Sequence, residues 1–163
     1  MKTSVEPRWL TDEERHAWMA LGSVLFRLPP ALDAQLQRDA DLSFFEYGVL
    51  AALSEAPDRT LRMSDLAFLA EGSLPRLSQV VGRMERRGWV SRKPDPTDGR
   101  YTLAILTDDG WEKVVRTAPG HVEAVRLLVF DALTKTQVGQ LTSIGQRIMR
   151  AIDPEDRCLG QGD

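Results

Sequence analysis

The stretch RLSQVVGRMERRGWVSRKPDPTDGRYTLAILTDDG, Arg76 to Gly110, decides how this chain folds. It reads as a basic helix, a glycine stop at Gly88, a strand, a Pro/Asp/Gly-rich turn and a second strand. Arg76, Arg83, Arg86 and Arg87 lie on the helix, and Arg92, Lys93 and Arg100 on the hairpin that follows. Cations on two adjoining elements suit a helix set in a DNA major groove, with a β-ribbon reaching the flanking backbone or minor groove.

The charge of the whole chain conceals this segment. The formal net charge is −3 over 163 residues. Yet Arg76–Arg100 holds seven Lys/Arg against three acids, a local +4 that leaves −7 on the remainder. A phosphate feels the local field, so an acidic total does not exclude nucleic acid. Hydrophobic content of 42% and charged content of 28% fit a folded chain. The one cysteine, Cys158, excludes an intramolecular disulfide, and with His16 and His121 as the only histidines no metal-ligand spacing arises. No cofactor is expected. No apolar run approaches the roughly 18 residues of a membrane span, and MKTSVEPRW has no signal-peptide core, so a reducing cytoplasm is the expected compartment. Without a Ser/His/acid set, a phosphate-cradling glycine loop or a Cys/His pair, an enzyme is not expected.

Outward from the basic segment, helix starts are legible. Thr11 with Glu14, Ser43 with Glu46 and Thr134 with Gln137 each fit a capping box. Helix one is expected from Asp12 to about Gln37, with Trp18, Leu21, Leu25, Leu28, Leu32 and Leu36 on one face. Pro29 and Pro30 should interrupt and kink it. Helix two covers Phe44 to Glu55. A short extended piece near Leu61 precedes helix three, which Ser64 could cap, with Leu66, Ala67 and Leu69 inward. Helix four runs from Leu74 to Arg87, and strands cover Trp89–Lys93 and Tyr101–Leu106. Thr107 caps helix five, apolar from Trp111 to Val129 and kinked at Pro119; helix six spans Lys135 to Ala151.

The order α-α-β-α-α-β-β-α-α is a mainly α fold with a small β-wing (α+β): a winged helix-turn-helix with long N- and C-terminal dimerisation helices. A single domain, 1–163, is expected. Residues 9–37 and 107–152 would form dimerisation helices, 43–106 the winged lobe, and 153–163 a flexible tail. A lobe of this size does not need three long amphipathic arms to close itself, so their stripes should pair between protomers of a two-fold homodimer. Trp9, Leu10, Val138, Leu141, Ile144 and Ile148 are the expected interface. Two recognition helices one DNA turn apart would then read a (pseudo)palindromic site.

The element order, LAFLAEGSLPRLSQVVGRMERRGWVSR and DPTDGRYTLAILTDDG together resemble the MarR (multiple-antibiotic-resistance regulator) family of bacterial winged-helix transcription factors. The resemblance runs from about Trp9 to Ile152. Its most specific part combines Leu66-Ala67, Arg86-Arg87-Gly88, Asp95-Pro96-x-Asp98-x-Arg100 and Leu106-Thr107-x-x-Gly110. It implies that helix four is the recognition helix, with Pro75, Arg76 and Gln79 at base edges and Ser78 and Arg83 at phosphates or the groove wall. Guanidinium and carboxamide have the chemistry to bond guanine and adenine bidentately. Ser64, Arg92 and Lys93 join the expected DNA-facing set. Arg100 matches the family's minor-groove arginine and Asp98 the acid that holds it. Pro75 departs from a pattern that often has a donor there, and Gly82 lowers helicity by about 1 kcal/mol against Ala.

The same resemblance implies a pocket for a small aromatic or amphipathic effector between dimer base and DNA-reading lobe. Trp18, Phe44, Phe45, Tyr47 and Trp111 are its candidate lining, with simple core packing as the alternative for each. The expectation is a repressor that binds double-stranded DNA as a homodimer and is released by a ligand. The alternative is a winged-helix dimerisation or protein-interaction module that has lost DNA. Cys158 sits far from the N-terminal helical region where a peroxide-sensing member would carry its thiol, so a redox switch is not expected.

Overall fold

Three of the helices begin at capping boxes, as the spacing of hydroxyl and acid or amide predicts. A computed structural model describes residues 6–70 and 72–153. In it Thr11 opens α1 (Asp12–Ala40), Ser43 opens α2 (Phe44–Glu55) and Thr134 opens α6 (Lys135–Ile152), each with both halves of the box closed. Between α2 and α6 lie β1 (Thr60–Arg62), α3 (Met63–Leu69), α4 (Leu74–Arg86), β2 (Val90–Pro94), β3 (Thr102–Leu106) and α5 (Asp108–Val125). A 3-10 turn, Pro57–Arg59, precedes β1, and a π-helical turn, Arg126–Phe130, extends α5. The winged helix-turn-helix order is as expected. Cys158 and positions 154–163 of the expected tail lie outside the described residues.

The helix expected through Pro29 and Pro30 forms, while two expectations for α3 fail for tertiary reasons. Pro29 and Pro30 lie inside α1 without ending it, and the helix runs on to Ala40. Each proline forfeits one N–H bond to the preceding turn. The turns beyond are held by burial of Leu32, Gln35 and Leu36. Pro119 likewise lies within α5. Ser64 does not cap α3: the cap position is Arg62, which makes no side-chain capping bond, and the Ser64 hydroxyl donates to Asp65 inside the first turn. The chain passes straight from the Arg62↔Leu103 pairing of the sheet into the helix. The core-facing stripe of α3 is then Met63, Leu66, Ala67 and Ala70, one helical face. Leu69 falls off that stripe and is 43% exposed.

The core is built where α2, α3, α4 and the sheet meet. Leu50 and Leu53 of α2, Leu66 of α3, Leu77 and Val81 of α4 and Ala104 of β3 are fully buried there. The sheet order is β1-β3-β2, antiparallel throughout, with Val90 opposite Leu106 and Pro94 opposite Thr102. Gly110 lets α5 leave the wing closely, since a Cβ there would overlap the Trp89 carbonyl. α6 buries none of its side chains within the protomer.

Candidate nucleic-acid interface

α4 shows one face to the core and the opposite one to solvent. Leu77, Val80, Val81 and Met84 are its buried residues. Arg76, Gln79, Arg83 and Arg86, three or four apart, therefore share the exposed stripe. Truncating Leu77 would cost about 2–5 kcal/mol and with it the helix's seat. Ser73 caps the helix by accepting the Arg76 N–H, and Pro75 occupies the first turn, where its missing donor costs nothing.

The wing is a tight turn fastened at its root and at its tip. At the root, Asp95 is buried and accepts from the Thr97 N–H (2.8 Å) and hydroxyl (2.7 Å), and from Arg62 (2.8 Å). The two Thr97 bonds, seconded by Arg62, hold the Asp95 carboxyl at about 2 although burial opposes them. At the tip, Arg100 donates to Asp98 at 2.7 Å while remaining 84% exposed. The Arg100 side chain, then its N–H, lowers the Asp98 carboxyl below the usual carboxylate range; in turn Asp98 raises the Arg100 pKa. A surface pair of this kind adds little stability. What it supplies is a cation held ready at the end of a rigid turn.

Between wing and helix-turn-helix lies a groove of about 410 Å³, lined by Ser64, Ser78, Arg92 and Arg100 among others. Four of the expected DNA-facing residues thus converge, and Pro75, Arg76, Gln79 and Lys93 lie exposed on the same two elements. Several of the cations are already paired. Arg83 is bonded to Glu46 at 3.2 Å, Arg92 to Glu85 at 2.6 Å, and Arg87 to Asp41 at 3.0 Å. Arg76 lies over the Phe45 ring at 4.3 Å. Asp95 could have been found as an acid whose side chain turns the chain locally in Asp-Pro-Thr. Its partner Arg62, 33 positions away, carries no sequence signal.

The aromatics singled out for an effector pocket do not line one cavity. Trp18 is 61% exposed on α1, Tyr47 packs on His121 at 4.5 Å, and Trp111 lies beneath Arg59 at 4.3 Å. Phe44 and Phe45 do share a cleft of about 770 Å³, with Pro29, Pro30, Asp33 and Arg76. A second, apolar groove of about 840 Å³ separates α1 from α6 and is lined by Val24, Leu28, Leu128, Leu141 and Ile144. Of the expected dimer residues, Trp9, Leu10, Leu141, Ile144 and Ile148 are exposed in the protomer and Val138 is half-buried. Among the described residues no group of three or more His, Cys, Asp or Glu could hold a metal ion. No described helix is long and apolar enough to cross a membrane.

Comparison with known proteins places these features in context. The MarR family profile matches residues 40–100, the lobe that carries α2 to the wing. The fold superposes on Sco3205, a MarR family transcriptional regulator from Streptomyces coelicolor solved in complex with DNA, with a TM-score of 0.87. Identity there is 47%, over 91% of this chain and 93% of that one. AbsC, a MarR family transcriptional regulator from the same organism, gives 0.84 at 35% identity, over 90% and 98%. The transcriptional repressor MprA of Escherichia coli K12 is 24% identical over 104 residues, 64% of this chain. The match spans only 58% of MprA's own length.

Proposed function

The chain belongs to the MarR family, and from that premise we propose that it is a homodimeric, sequence-specific DNA-binding transcriptional repressor acting at a (pseudo)palindromic operator. One observation carries the reading: α4 exposes Arg76 and Gln79 on its solvent face, and its Ser78 shares one groove with the exposed, Asp98-braced Arg100 of the wing. Helix side chains with planar forks read base edges in the major groove. A preorganised cation on a narrow ribbon suits the negative potential of the adjacent minor groove.

The second copy is required by unpartnered apolar surface. Trp18, Leu25, Phe26, Leu128, Leu141 and Ile144 are all exposed, and no α6 side chain is fully buried in its own protomer. So many large apolar side chains in water point to a partner surface. A two-fold dimer through α1, α5 and α6 covers it and fixes the distance between two reading heads. A small aromatic or amphipathic ligand in the cleft beside Phe44 and Phe45 would sit between dimer base and reading lobe. Differential affinity of a few kcal/mol for two spacings suffices to release DNA.

The deciding experiment is selection of bound duplexes from random oligonucleotides, followed by anisotropy titrations across salt. Expected are paired half-sites one turn apart and affinity that falls steeply with salt. Arg100→Ala should weaken binding to all sequences and lower the salt slope by about one. DNA affinity unmoved by a panel of small aromatic acids would remove the ligand from the mechanism. No salt-dependent binding to any duplex would leave a protein-interaction module.

A further inference from the structure

The arginine proposed to read a base does not stand alone on its helix. Its guanidinium carbon lies 4.3 Å from the centroid of the Phe45 ring. Phe45 sits in the first turn of α2, whose start is fixed three times over. Ser43 and Glu46 bond each other's N–H groups at 2.9 and 3.1 Å, and Asp33 accepts the Phe44 N–H at 2.7 Å. From the other side the ring meets the turn into α4. A Cβ at Gly72 would lie 2.7 Å from the ring's Cε2 and Cζ, so the ring occupies the space any side chain there would take. That turn is itself pinned by the Gly72 N–H donating to the Ala67 carbonyl at 2.9 Å.

We infer that Phe45, seated against Gly72, is a specificity-determining positioning residue that holds Arg76 in the pose from which α4 reads a base. The inference rests on the proposal that Arg76 contacts DNA. A long guanidinium side chain has many rotamers, and an aromatic face that attracts the cation removes much of that freedom before DNA arrives. The same ring walls the cleft beside Pro29 and Pro30. Anything that tilts the ring therefore displaces the base reader within one protomer, with no change in the spacing of the two lobes.

The test compares wild type, Phe45→Leu, Phe45→Tyr, Gly72→Ala, Arg76→Ala and the Phe45→Leu/Arg76→Ala double variant. Each is titrated by anisotropy against the selected duplex and its single-base substitutions, at several salt concentrations. Arg76→Ala should erase preference at one position by about tenfold or more. Phe45→Leu and Gly72→Ala should lower preference at that same position about two- to fivefold, with other positions and the salt slope as in wild type. Phe45→Tyr should restore it, and Phe45→Leu should add nothing once Arg76 is gone. Gly72→Ala keeps every residue of α2 and acts only by displacing the Phe45 ring, so it decides the matter even if Phe45→Leu unfolds. Uniform loss at every position, or preference unchanged in both Phe45→Leu and Gly72→Ala, overturns the inference. So does an Arg76→Ala variant with wild-type preference. Wild-type protein with no sequence preference overturns the DNA-reading proposal, and this inference with it.

Discussion

Arg62 on β1 and Asp95 at the root of the wing form an ion pair of 2.8 Å across 33 positions of sequence. The guanidinium also lies 4.4 Å from the Tyr101 ring on the far side of the turn. One arginine thus clamps both ends of the loop that carries Arg100. The strand that pairs with β3 thereby fixes the wing against α3.

Asp95→Asn should lower the thermal midpoint by a few degrees at pH 7, because the carboxylate that accepts both Thr97 bonds and pairs with Arg62 loses its charge. The folded-state pKa of Asp95 is depressed to about 2. Its contribution is therefore complete above the unfolded value of about 4 and is lost as pH falls through about 2. The gap in melting temperature between wild type and variant should close across that window. A gap that stays constant down to pH 2 counts against the assignment.

Glu46 has two tasks, capping α2 and holding Arg83. Its Oε2 accepts the Ser43 N–H while Oε1 accepts from Arg83. Glutamine can keep the cap but not the charge. Glu46→Gln should therefore change stability by less than about 1 kcal/mol, yet tighten non-specific DNA binding about two- to fivefold at low salt by releasing Arg83. Titration of an unrelated duplex at low and high salt checks this; equal affinity at low salt would show that Arg83 contributes nothing even when released.

His121 of α5 is buried against α1 and α2, with its Nδ1 3.2 Å from the Gln35 Oε1 and its ring against Tyr47. Burial lowers its pKa, so the neutral form is the one folded. Its contribution is full above the unfolded value of about 6.5 and is lost as pH falls from there through the depressed folded value. His121→Gln should narrow the loss of melting temperature between pH 7.5 and 5.5 relative to wild type.

Leu141→Glu with Ile144→Glu should split the dimer, since both residues line the apolar groove between α1 and α6. Light scattering should then give a mass near 18.3 kDa instead of twice that. Affinity for a two-half-site operator should fall by a factor on the order of 100 or more, as two linked contacts become one. A wild-type mass of a single chain would remove the dimer from the mechanism.

Much of the fold was legible because its signals are local. Thr11, Ser43 and Thr134 announce their helices through partners three residues on, and Gly88, at φ of 77°, ends α4 where a left-handed residue was expected. What stayed hidden shares a cause. The cost of Pro29 and Pro30 is local, whereas the burial of Leu32 and Leu36 that carries the helix past them depends on distant helices. Helical periodicity marks the apolar face of a helix but not what the aromatics on it meet.

Sequence alone determined the order of elements and the stripe of cations on α4 and the wing, because hydrogen bonds and periodicities within one turn depend on near neighbours. Tertiary structure alone decided which of those cations are already engaged. Glu46 takes Arg83 from 37 positions away, Asp41 holds Arg87 from 46, and Phe45 carries Arg76. An ion pair or a ring contact acts over a few ångströms of space, whatever length of chain lies between its partners.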